Sequence, residues 1–177
     1  MKELSLHLLD VIENSVAAGA KRLHIEVKED QAGDLLQITV RDDGRGMTPE
    51  MADAAADPFT TTRTTRTVGM GLPLLAQAAE QAGGSMIISS APGAGATVKA
   101  RFRFGHIDRA PLGRIEDTLT ACALLHPDLI LRFRHQTPQG AYQINLPEAT
   151  AAQARADIAD VIRRLVAEGR ARIGSAA

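Results

Sequence analysis

An α+β fold is predicted by three observations. An amphipathic helix opens the chain, two alternating strands follow it directly, and a helix, two strands and a last helix close it. The first helix spans Glu3 to Ala18, where Leu4, Leu8, Val11, Ile12 and Ser15 recur at the spacing of a buried stripe. His7, Asp10 and Asn14 share a neighbouring face. Asparagine is a poor residue for a helix interior, so Asn14 marks either a solvated polar face or a ligand. Its amide oxygen is the kind of donor that a hard cation such as Mg²⁺ takes, and Asp10, one turn earlier, is placed to accept a proton from water.

Leu23 to Glu29 sets Leu23, Ile25 and Val27 against His24, Glu26 and Lys28, the alternation of a half-buried strand. Leu35 to Arg41 is its partner across a polar turn, and it runs straight into Asp42-Asp43-Gly44-Arg45-Gly46-Met47. A strand that empties into D-x-G-x-G puts a carboxylate at the sheet rim beside permissive backbone. Such a carboxylate can accept from an exocyclic amine, which favours adenine over guanine. Thr48-Pro49-Glu50 then reads as the start of a helix.

From Pro58 to Ala79 there is no acidic residue, but there are six threonines and two arginines before Gly69-Met70-Gly71-Leu72. Pro73 opens a helix through Gln81. Hydroxyls, guanidinium groups and glycine-rich backbone ahead of a helix make an anion site, read here as a lid ordered by its ligand.

These stretches resemble the GHKL superfamily of ATPases, which includes gyrase, heat-shock chaperones, histidine kinases and MutL. ENSVAAGA, DDGRG and DPFTTTRTTRTVGMGL are similar to its N, glycine and lid boxes, and GAGATVKARF (Gly93 onward) to its last box. The likeness covers about residues 1 to 104. It implies a Bergerat-type two-layer α/β sandwich with a mixed sheet, and it implies ATP and Mg²⁺ as ligands. By that resemblance Asn14 binds Mg²⁺, Asp42 reads adenine, and Gly44 and Gly46 admit base and ribose. Met47 lines the base pocket, Phe59 anchors the lid, Arg63 reaches phosphate, and Gly69, Met70, Gly71 and Leu72 give it amides. Thr97 supports Asp42. Where the hydrolytic members carry Glu, four residues before the Asn, this chain has Asp10, so ATP binding is implied more firmly than hydrolysis. MKELSLHLLDVIENSVAAGAK and GHIDRAPLGRI are further similar to small stand-alone ATP-binding proteins with this domain.

After a linker at Gly105 to Gly113, Arg114 to Leu125 reads as a helix, Leu129 to Arg134 and Ala141 to Leu146 as strands. Thr150 caps a helix to about Gly169. Residues 105 to 177 are therefore expected to form a small α/β appendage that seals the sheet or docks a partner.

With 45 % hydrophobic but 3 % aromatic residues, the core of this 177-residue chain must be built from aliphatic side chains. A net charge of −1 argues against nucleic acid as a partner. The absence of an apolar run of about 18 residues argues against a membrane span, so a cytoplasmic protein is expected. The lone Cys122 reads as a buried thiol, and the histidines lack metal-ligand spacing or a separate phosphoacceptor hairpin. Three functions stay open: an ATP-dependent switch with weak hydrolysis acting on a protein partner, a serine kinase of the anti-sigma-factor type, and a non-catalytic adaptor. Oligomeric state is left open.

Overall fold

The structure is a computed structural model and describes residues 3–56 and 71–175. Its elements run α1 (Leu4–Ala17), β1 (Arg22–Asp30), β2 (Leu35–Asp42), α2 (Pro49–Ala56), α3 (Gly71–Gln81), β3 (Ser85–Ser90), β4 (Ala96–Arg103), α4 (Ile115–Leu125), β5 (Ile130–Thr137), β6 (Gly140–Leu146) and α5 (Ile158–Ile173). The strands form one mixed sheet in the order β3-β4-β2-β1-β5-β6. All neighbours are antiparallel except β1 and β5, which run parallel. The α+β two-layer sandwich expected from the sequence is what is found.

Strand alternation dictates the layers, because successive side chains point to opposite faces. Leu23, Ile25 and Val27 of β1, Leu36, Ile38 and Val40 of β2, and Val98, Ala100 and Phe102 of β4 are buried on one face. Against them pack Leu4, Leu8, Val11 and Ile12 of α1, Leu75 and Ala79 of α3, and Leu119 of α4, in one continuous core. Phe133 and Tyr142 extend that core under α5, where Gly169 is required: a Cβ there would lie 2.4 Å from the Tyr142 ring.

Among the described residues no helix lies on the opposite face, and its composition is uneven. β1 contributes Arg22 and Lys28, β2 Arg41, β4 Lys99, Arg101 and Arg103, and β5 Arg132 and Arg134, while the acids interleaved with them are Glu26 and Asp30. A chain of net charge −1 thus carries a basic sheet face.

The 105–113 linker is more than a spacer. Its Pro111 and Leu112 carbonyls accept the Leu4 and Ser5 amides at 2.9 Å, which satisfies the orphan donors at the start of α1. Downstream, β5 and β6 continue the same sheet beyond β1. A buried Glu29–His135 contact of 2.5 Å joins β1 to β5, and Ser175 donates to the same Glu29 oxygen at 2.6 Å.

The last helix departs from the sequence reading. Thr150 lies in a 3-10 turn, Glu148–Thr150, and its hydroxyl donates to the Pro147 carbonyl instead of capping a helix. Helix α5 starts at Ile158 and runs past Gly169 to Ile173, ending on a left-handed Gly174. The alanine-rich stretch after Thr150 has helix propensity but no apolar stripe to bury, and propensity alone does not hold a helix.

Candidate nucleotide site

The site lies on the helix-covered face where β2 ends. Asp42 is held there by three donors. The Ser15 hydroxyl from α1 reaches Oδ2 at 2.9 Å, and the Gly44 and Ala96 amides reach Oδ1 at 2.9 and 3.1 Å. A carboxylate has about four acceptor positions. The remaining one, on Oδ2, is the position left for an outside donor.

The turn that follows is built by close backbone approach. Gly46 has φ +69°, and a Cβ on it would lie 1.9 Å from the Ala91 carbonyl oxygen. Gly95 has φ +74°, and its Cβ would lie 2.0 Å from the Asp42 carbonyl oxygen. Only glycine fits either place. The Met47 amide donates to Ser90 Oγ at 2.9 Å, and that hydroxyl donates to the Gly95 carbonyl at 2.6 Å, tying the turn to the β3–β4 loop.

Together these elements line an open cleft. Helix α1 provides Val11, Asn14 and Ser15, with Ala18 just past its end, and the turn provides Asp42, Arg45, Gly46 and Met47. Met51 of α2, Leu72 of α3 and Ala96 and Val98 of β4 close it. The lining is apolar apart from a few placed polar groups, the character of a small-molecule site. Gly44 sits at its edge, its Cα facing Ala18 and the Asp42 carboxylate.

Asp10 lies on α1 one turn before Asn14, against Gly71 at the start of the described part of α3. A Cβ on Gly71 would be 2.3 Å from the Asp10 Cβ. Burial, and then the charge of Glu13, raises the Asp10 carboxyl above its usual range. His7, another turn earlier, is buried and makes no hydrogen bond through Nδ1; burial lowers it to about 4, so it is neutral at pH 7. Cys122 is buried too, its thiol pushed up to about 12 by burial and Glu13.

Asn14, Asp42, Gly46, Met47 and Leu72 thus line one cleft, with Asp10, Gly44 and Gly71 beside it. Phe59, Arg63, Gly69 and Met70 lie outside the described residues. Thr97 requires a correction. It pairs with Arg41, on the sheet face opposite Asp42, and the strand residue that meets Asp42 is its neighbour Ala96, through the backbone. A one-residue offset in a strand exchanges faces. The supporting hydroxyl belongs to Ser15, which the sequence reading placed in the apolar stripe; a hydroxyl interrupting that stripe was the available signal.

Residues 2–106 match the family model described as "Histidine kinase-, DNA gyrase B-, and HSP90-like ATPase". Among curated relatives, the DNA mismatch repair protein MutL of Xanthomonas axonopodis pv. citri is 30 % identical over 71 % of this chain and 26 % of its own length. The sensor histidine kinase ZraS of Klebsiella oxytoca is 37 % identical over 50 % of this chain and 19 % of its own. A solved Aquifex aeolicus MutL ATPase domain complexed with ADP has a TM-score of 0.52 at 12 % identity, covering 93 % of this chain and 70 % of that one. At that identity the likeness concerns the fold.

Fold and cleft define a nucleotide-binding protein of the GHKL type. The chain belongs to the histidine kinase-, DNA gyrase B- and HSP90-like ATPase family. It spans about a quarter of the length of the MutL relatives it matches. Among the described residues no helix is long and apolar enough to cross a membrane.

Proposed function

We propose that the chain is a Mg²⁺–ATP-dependent switch with slow hydrolysis, acting on a protein partner. The observation that carries this reading is Asp42, whose three protein donors fix the carboxylate and leave one acceptor position for the adenine amine. The cleft wall of Val11, Met47, Leu72 and Val98 suits the faces of a purine. Asn14, on the same wall, supplies one oxygen ligand, enough for Mg²⁺ only when phosphate oxygens and water complete its shell. When bound, that ion would neutralise charge on the polyphosphate.

Asp10 is the base in this reading. Its raised carboxyl is better matched to proton abstraction near neutral pH than an ordinary aspartate. Its arm is one methylene shorter than a glutamate, and a small misplacement costs roughly 10²-fold in rate, so slow turnover is expected. Gly71 and Leu72, with Arg63, Gly69 and Met70 of the lid sequence, would meet the phosphates while Phe59 anchors the lid, and lid ordering would change the surface offered to the partner.

The test is calorimetric titration with ATP and ADP in the presence of Mg²⁺, followed by measurement of released phosphate. Asp42→Asn should abolish adenine-nucleotide binding in a protein that still melts cooperatively; unchanged affinity would sink the base-reading role. Asn14→Ala should remove the Mg²⁺ dependence of ATP affinity. Slow phosphate release lost in Asp10→Asn supports the switch, whereas binding without release, and label transferred to a protein serine, would replace it with a kinase.

A further inference from the structure

Strand register aligns one transverse row across the whole open face of the sheet. Ser89 pairs with Thr97, Thr97 with Arg41, Arg41 with His24, His24 with Arg132, and Arg132 with Asn145. This row crosses all six strands and contains hydroxyls, an amide, an imidazole and two guanidinium groups, with no carboxylate. The middle of the row borders an open concavity of about 420 Å³ beneath the Asp42–Asp43 turn. Arg22, His24, Arg41 and Arg132 line it together with Asp42 and Asp43 of the turn, and the Gly93–Ala94 backbone stands at its rim.

Among the described residues, two of these cations, Arg41 and Arg132, are not matched from within the protein. Elsewhere on this face Arg134 meets Glu26 at 3.4 Å and Arg103 meets Asp34 at 2.8 Å. Neither Arg41 nor Arg132 makes an ion pair among the described residues. The carboxylate nearest to them in the concavity, Asp43, is already engaged: its Oδ1 accepts the Lys21 and Arg22 amides at 2.7 and 2.8 Å, and its Oδ2 faces Arg22 at 3.7 Å. Two guanidinium groups on one row with no carboxylate between them repel, so an anion that reaches between Arg41 and Arg132 relieves that repulsion.

We propose that this concavity is a second anion site, distinct from the nucleotide cleft, that takes a phosphoryl group between Arg41 and Arg132. Strands two apart are separated by about 10 Å, a gap that two arginine side chains can close around one tetrahedral anion. Guanidinium forks match phosphate oxygens in pairs, and His24 lies midway as a further donor. No phenylalanine, tyrosine or tryptophan belongs to the row, so the group recognised is the phosphate and not a base. The phosphoryl group comes from a free phosphate ester or from a phosphorylated side chain of a partner. Arg41 and Asp43 flank Asp42 in sequence, so an occupant here and a nucleotide on the other face would share one turn.

The site is tested on the full chain by following the His24 ring protons in NMR while adding inorganic phosphate. A saturable shift is expected, weakened about 10-fold or more in the Arg41→Gln/Arg132→Gln double variant. Both side chains are exposed, so the variant should fold and keep its ATP affinity. Asn14→Ala, at a residue that lines the nucleotide cleft and not this concavity, should leave the phosphate response intact, which separates this site from the nucleotide reading: either can fail without the other. A phosphoserine peptide that binds at least 10-fold more tightly than phosphate, with the same loss in the double variant, assigns the protein-borne source, and equal affinity assigns the free ester. No shift at His24, or an equal response in the double variant, overturns the proposal.

Discussion

Ser15→Ala separates a side chain that braces the site from one that merely fills the helix. The hydroxyl gives Asp42 one charge-assisted bond at 2.9 Å and also lies 3.2 Å from the Val11 carbonyl, so its proton is shared. Bonds to charged groups contribute roughly 1.5–3 kcal/mol, and sharing puts this one at the lower end. Alanine is the better helix former by about 0.5 kcal/mol, which offsets part of the loss. A net loss of about 1 kcal/mol follows, lowering Tm by about 2–4 °C in a chain of this size. Without the brace Asp42 can turn away from the cleft, and about 1.5 kcal/mol of lost orientation corresponds to roughly tenfold weaker ATP binding. The assay is a thermal melt paired with ATP titration, with Thr97→Val as the control on the opposite face, expected to leave ATP affinity unchanged. A Ser15→Ala protein that melts higher and binds ATP as before would refute the argument, because propensity alone would then explain the residue. Loss of affinity in Thr97→Val would refute the assignment of faces.

Three more perturbations have definite signs. Gly46→Ala meets both a left-handed φ and the Ala91 carbonyl at 1.9 Å, so at least about 2 kcal/mol should be lost in urea unfolding. Gly93→Ala, at φ +77° with nothing within 4 Å, should lose only the conformational part, and equal losses would deny the close approach. His7 is lowered from 6.5 to about 4, so its contribution to stability is full above pH 6.5 and disappears as pH falls toward 4, by roughly 3 kcal/mol. His7→Met should flatten that acid limb in urea midpoints between pH 7 and 4, and an unchanged slope would assign it to other groups. Asp10 is raised, so its charged form is penalised in the folded state: Asp10→Asn should melt above the parent at pH 7, with the advantage shrinking as pH falls toward the ordinary value of 3.8. An advantage independent of pH would point to packing.

Where one apolar period dominated, the sequence was legible to within a residue or two. Helix α1 and strands β1 and β2 fall at Leu4–Ala17, Arg22–Asp30 and Leu35–Asp42, against expected spans of 3–18, 23–29 and 35–41. The Asp42–Met47 turn was readable because its glycines are demanded by local backbone. Neither β3 nor β4 is read as a strand from the sequence: Ser85–Ser90 is short and partly polar, and the two are held by their mutual ladder and by that of β4 with β2. Ser15 and Ala96 escaped for a different reason: their roles arise only when α1 and β4 converge on Asp42 from 27 and 54 residues away. The charge of the open face was hidden by its sum. Eight of the 20 lysines and arginines gather there against two strand acids, Glu26 and Asp30, and a net of −1 does not report that imbalance.

The parallel pairing of β1 with β5 joins Arg22 to Ile130, partners separated by about a hundred residues of chain. Ladders of such long range close late in folding, because the loop entropy must be met before the contacts form. Until β5 arrives, β1 is an open edge with unpaired amides and carbonyls, the template on which strands of other molecules add. A fragment ending near residue 104 would keep the whole nucleotide cleft and still carry that edge permanently, with Glu29 stripped of His135. Dissecting the cleft from its C-terminal strands is therefore a recipe for aggregation, and expression work should keep the sheet whole.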